Sequence, residues 1–248
     1  MRTGIDLFAG IGGFSLAMQM NGIEVIEQVE IEPYPIKVLE KNFPGAKRHG
    51  DIRTYKPNAN PWIVCGGFPC QDISSAGKGA GLSGKRSSLW WEMHRVIDES
   101  RPDWVLIENV SALRVRGDDA VLLSLEELGY SSRAFLVGAS DIKASHQRKR
   151  VWIAAHRVDA QQDFSARQDW KNDQRPESWW PELRSGGHPR TTALGYNGRV
   201  DDGLRNRMDR VKMLGNAVVP MVAYQVLQAL VQPNVRAERP QTAAPQPE

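Results

Sequence analysis

The sequence predicts an α/β fold, in which helices cover both faces of a mixed, mostly parallel sheet. Short apolar runs alternate with stretches of helical spacing over the first 157 residues, a pattern typical of strands joined by crossover helices. Glycines 10, 12 and 13 end the first apolar run, where such sheets turn from strand to helix. Two later runs follow each other with no helical stretch between them, which predicts a hairpin.

The strands are predicted from short apolar runs that end at turn residues. They comprise residues 4–8, 24–31, 61–65, 104–107, 133–137 and 150–155. A further strand is expected just before Gly50-Asp51. Because ligands of a parallel sheet bind at the carboxyl ends of its strands, the residues that follow these runs are the functional candidates.

The helices are predicted from helical spacing and from signals at their ends. The first covers residues 14–18 and closes at Asn21-Gly22, a typical C-cap. Prolines open the second, in which Ile36, Val38 and Leu39 are expected to face mostly inward. The remaining helices comprise residues 88–100, 119–128 and 220–231.

Composition indicates a globular protein of 248 residues, with 41% apolar and 25% charged residues. No apolar run approaches the ~18 residues that span a bilayer, and no signal peptide is evident. We therefore expect no membrane partner and a cytoplasmic location. The net charge of +3 is weak evidence for a nucleic-acid partner. Two cysteines provide no disulfide framework and no metal-ligand set, so no metal is expected.

The glycine turn after the first strand has the features of a ligand-binding loop. Glycines let a ligand approach the backbone, and the following helix N-terminus is partially positive. A dinucleotide fingerprint requires a third glycine where this chain has Ser15, so a nicotinamide dehydrogenase is disfavoured. Glu30 and Asp51, after two later strands, suit an adenosine ligand without pyrophosphate, such as S-adenosylmethionine. A tight turn with two surface carboxylates explains this segment equally well.

The segment 66–74 follows a buried strand, which would deliver Cys70 to the carboxyl edge of the sheet. A thiol at such an edge is a nucleophile when a helix terminus or a cation lowers its pKa. Cys65 lies within an apolar run and is predicted to be a core residue. A structural role is the ordinary one for a lone cysteine, and the surrounding glycines and proline favour the functional role for Cys70.

Six motifs in order give the chain a clear family resemblance. They are residues 6–13 (DLFAGIGG), 67–71 (GFPCQ), 81–90 (GLSGKRSSLW), 108–110 (ENV), 146–151 (HQRKRV) and 214–220 (LGNAVVP). Together they resemble the motifs of DNA (cytosine-5)-methyltransferases. The resemblance implies a Rossmann-like fold that binds S-adenosylmethionine, carrying a small irregular target-recognition region.

The resemblance implies methyl transfer from S-adenosylmethionine to C5 of a cytosine flipped out of double-stranded DNA. Cys70 then adds to C6 of the base, and Glu108 binds its N3/N4 edge while protonated or sharing a proton with N3. Arg148 matches the arginine that holds the cytosine O2, and Arg150 is expected to organise the site. For Glu108 and the arginines, ordinary polar residues at a strand end and a solvated turn are the alternative explanations.

The resemblance also assigns the remaining site residues. Phe8 stacks on the adenine, Glu30 holds the ribose and Asp51 the adenine N6, although core packing also explains Phe8. The full cofactor set is Phe8, Gly10, Gly12, Glu30, Asp51, Ile52, Leu89, Asn216 and Ala217. The DNA-binding set is Pro69, Gln71, Ser74, Lys78, Lys85, Arg86 and Asn109, of which Asn109 is expected to order its loop. Residues 74–87 are expected to close over the DNA as a mobile loop.

On this basis the chain divides into four parts. Residues 1–157 form the catalytic, cofactor-binding domain, 158–206 a small target-recognition region, 207–232 a return to the catalytic domain and 233–248 a disordered tail. The short recognition region predicts a short target or relaxed specificity, and Trp179-Trp180 within it are expected to form a small core. The chain departs from the family pattern at His146, where glutamine is frequent, and at Ile31, where an aromatic residue often sandwiches the adenine.

Double-stranded DNA is the expected partner of a monomeric enzyme of a bacterial or phage modification type, for which a cognate restriction endonuclease is a candidate second partner. Two alternative hypotheses stay open. In the first, the substrate is RNA, as it is for transfer-RNA methylating relatives. In the second, the chain is a catalytically silent DNA-binding homologue. The intact Cys70, Glu108 and Arg148 argue against the silent homologue.

Overall fold

Seven strands form one sheet in the computed structural model, which describes residues 1–69, 88–142, 148–159 and 217–231. The strands are β1 (Thr3–Leu7), β2 (Glu24–Val29), β3 (Lys47–His49), β4 (Ile63–Gly66), β5 (Trp104–Val110), β6 (Tyr130–Val137) and β7 (Arg150–Arg157). Their order across the sheet is β3-β2-β1-β4-β5-β7-β6. The first five in this order are parallel, and β7 runs antiparallel to both β5 and β6. The predicted mixed, mostly parallel sheet is confirmed.

Six α-helices accompany these strands within the described residues. They are α1 (Gly13–Met20), α2 (Pro33–Asn42), α3 (Ser88–Ser100), α4 (Leu113–Arg116), α5 (Asp118–Glu127) and α6 (Pro220–Val231). A 3-10 turn, Ala139–Ile142, follows β6. All of the described residues fall in one unit by their contacts, which spans residues 1–160 and 208–233.

The sequence located most elements but misjudged some of their limits. The predicted strand over 133–137 begins three residues late, because β6 pairs with β7 over its whole length, from Tyr130–Arg157 to Val137–Arg150. The short helix α4 and the 3-10 turn were not predicted. In α2, Leu39 is buried, as expected. Ile36 and Val38 are only half-buried, so they face inward less completely than the sequence predicted.

The core lies on the central strands. Apolar residues of β1, β4 and β5 are buried, apart from the partly buried Val110 at the end of β5, since helices pack against both faces of a parallel sheet. Cys65 of β4 is among them, and burial raises the pKa of its thiol. Its predicted place in the core is confirmed.

Helix α6 returns the chain to the first helix. The Asn21 side chain at the C-terminal end of α1 donates a hydrogen bond to the Tyr224 carbonyl, at 3.1 Å. Val218 approaches the other end of α1, where its carbonyl oxygen would lie 2.8 Å from a Cβ atom at Gly13. A glycine is therefore required at this contact.

The predicted recognition region and tail lie outside the described residues, apart from Val158 and Asp159. The division into four parts stays a prediction. No helix among the described residues is long and apolar enough to cross a membrane.

Candidate active site

The loop between β1 and α1 has a backbone that only glycine adopts readily. Gly10 and Gly12 have φ values of 54° and 88°, and Phe8 is also left-handed, with a φ of 56°. A Cβ atom at Gly12 would overlap the Phe43 ring, whereas a Cβ at Gly10 would meet no atom within 4 Å. The loop is thus packed against α2 at Gly12 and opens to free space at Gly10.

Glu30 follows β2 and reaches this loop. One of its carboxylate oxygens accepts a hydrogen bond from the Gly10 N–H at 2.7 Å, and the other accepts from the Glu32 N–H at 2.8 Å. Parallel pairing of β1 with β2 brings the two strand ends side by side. The structure thereby brings together Gly10 and Glu30, as the sequence predicted for a ligand-binding edge.

Three predicted cofactor residues belong to, or pack against, the main core cluster. Ile52 is buried in the main core cluster, and Phe8 and Leu89 are partly buried against the same cluster. Asp51 lies nearby in the chain but forms a close ion pair with Arg53 at 2.7 Å, which lowers the pKa of its carboxyl group. Asp51 would have to exchange this partner, or share it, to bind a ligand.

A buried polar group beneath the glycine loop was not predicted. Asp6 in β1 is fully buried, and one carboxylate oxygen accepts hydrogen bonds from the Ser15 N–H and hydroxyl, at 2.9 and 2.6 Å. Gln28 of β2 in turn donates to the Ser15 hydroxyl at 2.8 Å. Asp6 therefore caps the first turn of α1, which has no side-chain cap of its own. Its signal in the sequence was a carboxylate inside an apolar run.

Glu108 lies near the carboxyl end of β5 and is almost entirely buried. Its carboxylate contacts the Arg150 guanidinium, with 3.0 Å between Oε1 and Nε. Burial raises the pKa of Glu108 to about 7, although the charges of Arg150 and Arg148 act to lower it. At neutral pH this carboxyl group is able to exist in both protonation states.

Strand pairing explains why Arg150 is the arginine that reaches Glu108. Arg150 is paired with Val110 and Trp152 with Glu108, so these four side chains lie on one face of the sheet. Arg150 and Glu108 are diagonal neighbours on that face. The resemblance implied that Arg150 organises the site. Its direct contact with the Glu108 carboxylate is an interaction through which it could do so.

Arg148 has a different partner. It precedes β7 with a φ of 25°, and its Nη2 donates a hydrogen bond of 2.6 Å to the Ala217 carbonyl oxygen. The predicted cofactor residue Ala217 is therefore brought next to the arginines. A small cavity near Glu108 is bounded by Arg148, Arg150, Trp152 and the two residues Val219 and Val222.

The Asn109 side chain contacts the backbone just after β4. Its amide donates to the Phe68 carbonyl at 3.1 Å and its oxygen accepts from the Val110 N–H at 2.8 Å. Gly67 passes beside Glu108, since a Cβ there would lie 3.4 Å from its carboxylate. The chain therefore runs past Glu108 into Pro69.

The other predicted site residues lie outside the described residues. They are Cys70, Gln71, Ser74, Lys78, Lys85, Arg86 and Asn216. The described residues hold no group of three or more side chains suited to a metal ion.

Comparison with known proteins places this site in a family. A family model described as C-5 cytosine-specific DNA methylase matches residues 2–185. The chain belongs to this family. S-adenosylmethionine is the methyl donor that C-5 cytosine-specific DNA methylases use.

Curated relatives of this chain are type II methyltransferases. M.HhaI of Haemophilus parahaemolyticus is 37% identical over 161 residues, which cover 62% of this chain and 49% of the relative. M1.ScrFI of Lactococcus lactis subsp. cremoris is 39% identical over 156 residues, or 60% of this chain and 40% of the relative. The chain thus spans about half the length, or less, of the curated relatives it matches.

Solved structures share the methylase fold. A protein described as a DNA modification methyltransferase, encoded within a prophage of E. coli, matches with a TM-score of 0.54 and 25% identity over 63% of this chain and 47% of that one. A DNMT2 mutant of Spodoptera frugiperda matches with a TM-score of 0.55 and 22% identity over 66% and 52%. The predicted Rossmann-like methyltransferase fold is confirmed.

The carboxyl edge of the sheet in this chain fits an adenosine-containing cofactor. Gly10 borders open space that a side chain would fill, and the Glu30 carboxylate lies beside it. Phe8 and Leu89 are only partly buried against the core cluster, so they leave apolar area of the kind on which an adenine ring packs. These donors and surfaces match the chemistry of S-adenosylmethionine.

Proposed function

We propose that this chain methylates cytosine at C5 in double-stranded DNA, by flipping the base and forming a covalent adduct through Cys70. The observation that carries the proposal is the ion pair of the buried Glu108 with the half-buried Arg150 at the carboxyl edge of the sheet. Family membership and the glycine loop with Glu30 on the same sheet support it.

The Glu108 carboxyl group has the acid–base character that a cytosine requires. With a pKa of about 7, it donates a proton to N3 of the base and accepts from the exocyclic amino group. Protonation at N3 withdraws electron density from the ring and makes C6 more electrophilic, so that a thiolate can add to it. Arg150 beside Glu108 holds the carboxyl group in place and balances its charge when the proton leaves.

Cys70 is the proposed nucleophile. The thiolate forms a bond to C6, and the electron pair of the C5–C6 double bond makes C5 nucleophilic. After C5 has been methylated, loss of its proton returns the electron pair to the ring and expels the thiolate. The route of the chain past Glu108 into Pro69, the residue before Cys70, supports this assignment.

Residues after β1, β2 and β3 are proposed to hold the cofactor. When bound, S-adenosylmethionine supplies an electrophilic methyl group. Phe8, Ile52 and Leu89 offer the adenine an apolar surface, and Glu30 accepts hydrogen bonds from the ribose. Gly10 and Gly12 place no side chain at their two positions in the loop. Asp51, Asn216 and Ala217 complete the proposed set of cofactor-binding residues.

The DNA side of the site is proposed from the sequence. Pro69, Gln71, Ser74, Lys78, Lys85 and Arg86 contact the DNA near the flipped base, and residues 158–206 read a short target. We further propose that the protein is a monomer and acts in the cytoplasm. A cognate restriction endonuclease is a candidate second partner.

Transfer of a labelled methyl group to plasmid DNA tests the proposal. The wild-type chain is expected to label DNA and to form an SDS-stable complex with DNA that contains 5-fluorocytosine. Cys70→Ser is expected to lose both activities while it still binds S-adenosylmethionine. A wild-type chain that binds S-adenosylmethionine but labels no DNA would overturn the proposal, and labelling of transfer RNA alone would reassign the substrate.

A further inference from the structure

The bond between Arg148 and the Ala217 carbonyl joins two distant parts of the chain. It spans 69 positions in sequence, and the donating guanidinium is half-buried. The left-handed backbone at Arg148, with a φ of 25°, is unfavourable for a non-glycine residue and is retained only where surrounding contacts hold it. Burial lowers the pKa of Arg148, so its charge needs a hydrogen-bond acceptor here.

The segment that receives this bond lies between the two halves of the site. Next to Ala217, the Val218 carbonyl lies against Gly13, the first residue of α1 after the glycine loop. On its other side, Val219 borders the small cavity beside Glu108. Residues 217–219 therefore connect the loop proposed to hold the cofactor with the pair proposed to hold the base.

We infer that Arg148 is a positioning residue that fixes residues 217–219 through the Ala217 carbonyl. The inference rests on the proposed function for what the two halves of the site bind. It adds to the role that the resemblance implied for Arg148, which is to hold the cytosine. Its physical basis is the hydrogen bond from the Arg148 guanidinium to this backbone carbonyl, which adjoins the contacts of Val218 and Val219.

The inference predicts that removing Arg148 weakens cofactor binding in the absence of DNA. A hydrogen bond from a charged donor is worth about 1.5 kcal/mol or more, so we expect Arg148→Ala to weaken S-adenosylmethionine binding about tenfold. Arg148→Lys is expected to restore most of the affinity, because the bond uses a single donor. Lys149→Ala is the matched control, because the exposed Lys149 lies between the two arginines, and it is expected to bind the cofactor as wild type does. Isothermal titration calorimetry measures the four affinities.

Hydrogen exchange provides a readout that needs neither cofactor nor DNA. The Val222 and Ala223 amides both donate to the Val219 carbonyl at the start of α6. In Arg148→Ala these amides are expected to exchange at least several-fold faster, and in Lys149→Ala at the wild-type rate. Gly13→Ala, which presses on Val218 from the other side, is expected to give the same defect with Arg148 intact.

The two experiments separate this inference from the proposed function. Faster exchange and weaker cofactor binding in Arg148→Ala, with rescue by lysine, would support the inference. Unchanged exchange of the α6 amides, or cofactor affinity equal to that of wild type, would overturn it. A wild-type chain that binds no S-adenosylmethionine would instead count against the proposed function, while the exchange rates would still test the bond.

Discussion

Opposing effects set the charge of Glu108. The adjacent Arg150 favours the carboxylate, but burial favours the neutral acid and outweighs it, so the pKa rises to about 7. An exposed ion pair of the same residues would keep the glutamate ionised at neutral pH. The burial of Glu108 is therefore the reason that a protonated carboxyl group is present at this edge of the sheet near neutral pH.

We expect Glu108→Gln to remove one limb of the pH profile of methyl transfer. In the wild type the protonated form is active, so the rate should fall as the pH rises through about 7. The glutamine cannot lose or gain this proton, and its rate should be at least about 100-fold lower, with no such fall. Single-turnover rates between about pH 5.5 and about pH 9 measure both effects. A glutamine variant that kept the wild-type fall would assign the titration to another group.

Ile31 provides a second test at the scale of one residue. It follows Glu30 and is 58% exposed, at the position where family members often have an aromatic residue against the adenine. Ile31→Trp is expected to strengthen S-adenosylmethionine binding up to about tenfold, since an aromatic contact is worth about 0.5–1.5 kcal/mol. Met20→Trp, at an exposed position at the far end of α1, is the control and should leave the affinity unchanged. Equal affinities for Ile31→Trp and the wild type would contradict the expectation.

At the scale of single elements, the β1–α1 loop was the most predictable part of the site. Glycine is the one residue that suits a left-handed turn, so its positions reveal the loop in the sequence. Strand β3 has no comparable signal, because Lys47–His49 is a polar, three-residue edge strand whose limits depend on pairing with β2. The arginine partner of Glu108 depends on the register of β5 and β7, which apolar patterns do not specify.

The two glycines that flank α1, Gly12 and Gly22, offer a matched pair of substitutions. Gly12→Ala should lower the free energy of unfolding by about 2–4 kcal/mol, because the residue is left-handed and its Cβ would overlap the Phe43 ring. Gly22→Ala has the same backbone penalty, with a φ of 69°, but no atom within 4 Å, so about 1 kcal/mol is expected. Denaturant unfolding of both variants measures the difference. Equal losses would mean that the contact with Phe43 adds no strain.

At the scale of the whole molecule, the sequence predicted the sheet class but not its buried polar groups. Alternating strands and helices indicate a parallel sheet because crossover helices must cover both faces. In the sequence, Asp6 is only a charged residue that interrupts the apolar run of residues 4–8. Its role as the cap of α1 is set by the approach of Ser15, and only the packed structure provides that contact.

Two buried carboxyl groups predict how the stability of the whole fold depends on pH. Burial raises the pKa of both Asp6 and Glu108 to about 7, from ordinary values of 3.8 and 4.5. The folded state therefore binds more protons than the unfolded state between these limits, so stability is full below the ordinary values and decreases as the pH rises to about 7. Asp51 acts in the opposite direction, because its pKa is lowered, but only at more acidic pH.

Each unit of pKa difference corresponds to about 1.4 kcal/mol, so the loss of stability between about pH 5 and about pH 8 should reach a few kcal/mol. Urea unfolding at intervals across this range measures it. Asp6→Asn and Glu108→Gln each remove one titrating group and should flatten the decrease, and the double variant should flatten it most. If the double variant showed the full wild-type slope, neither buried carboxyl group would be the source, because no proton could then be exchanged at either position.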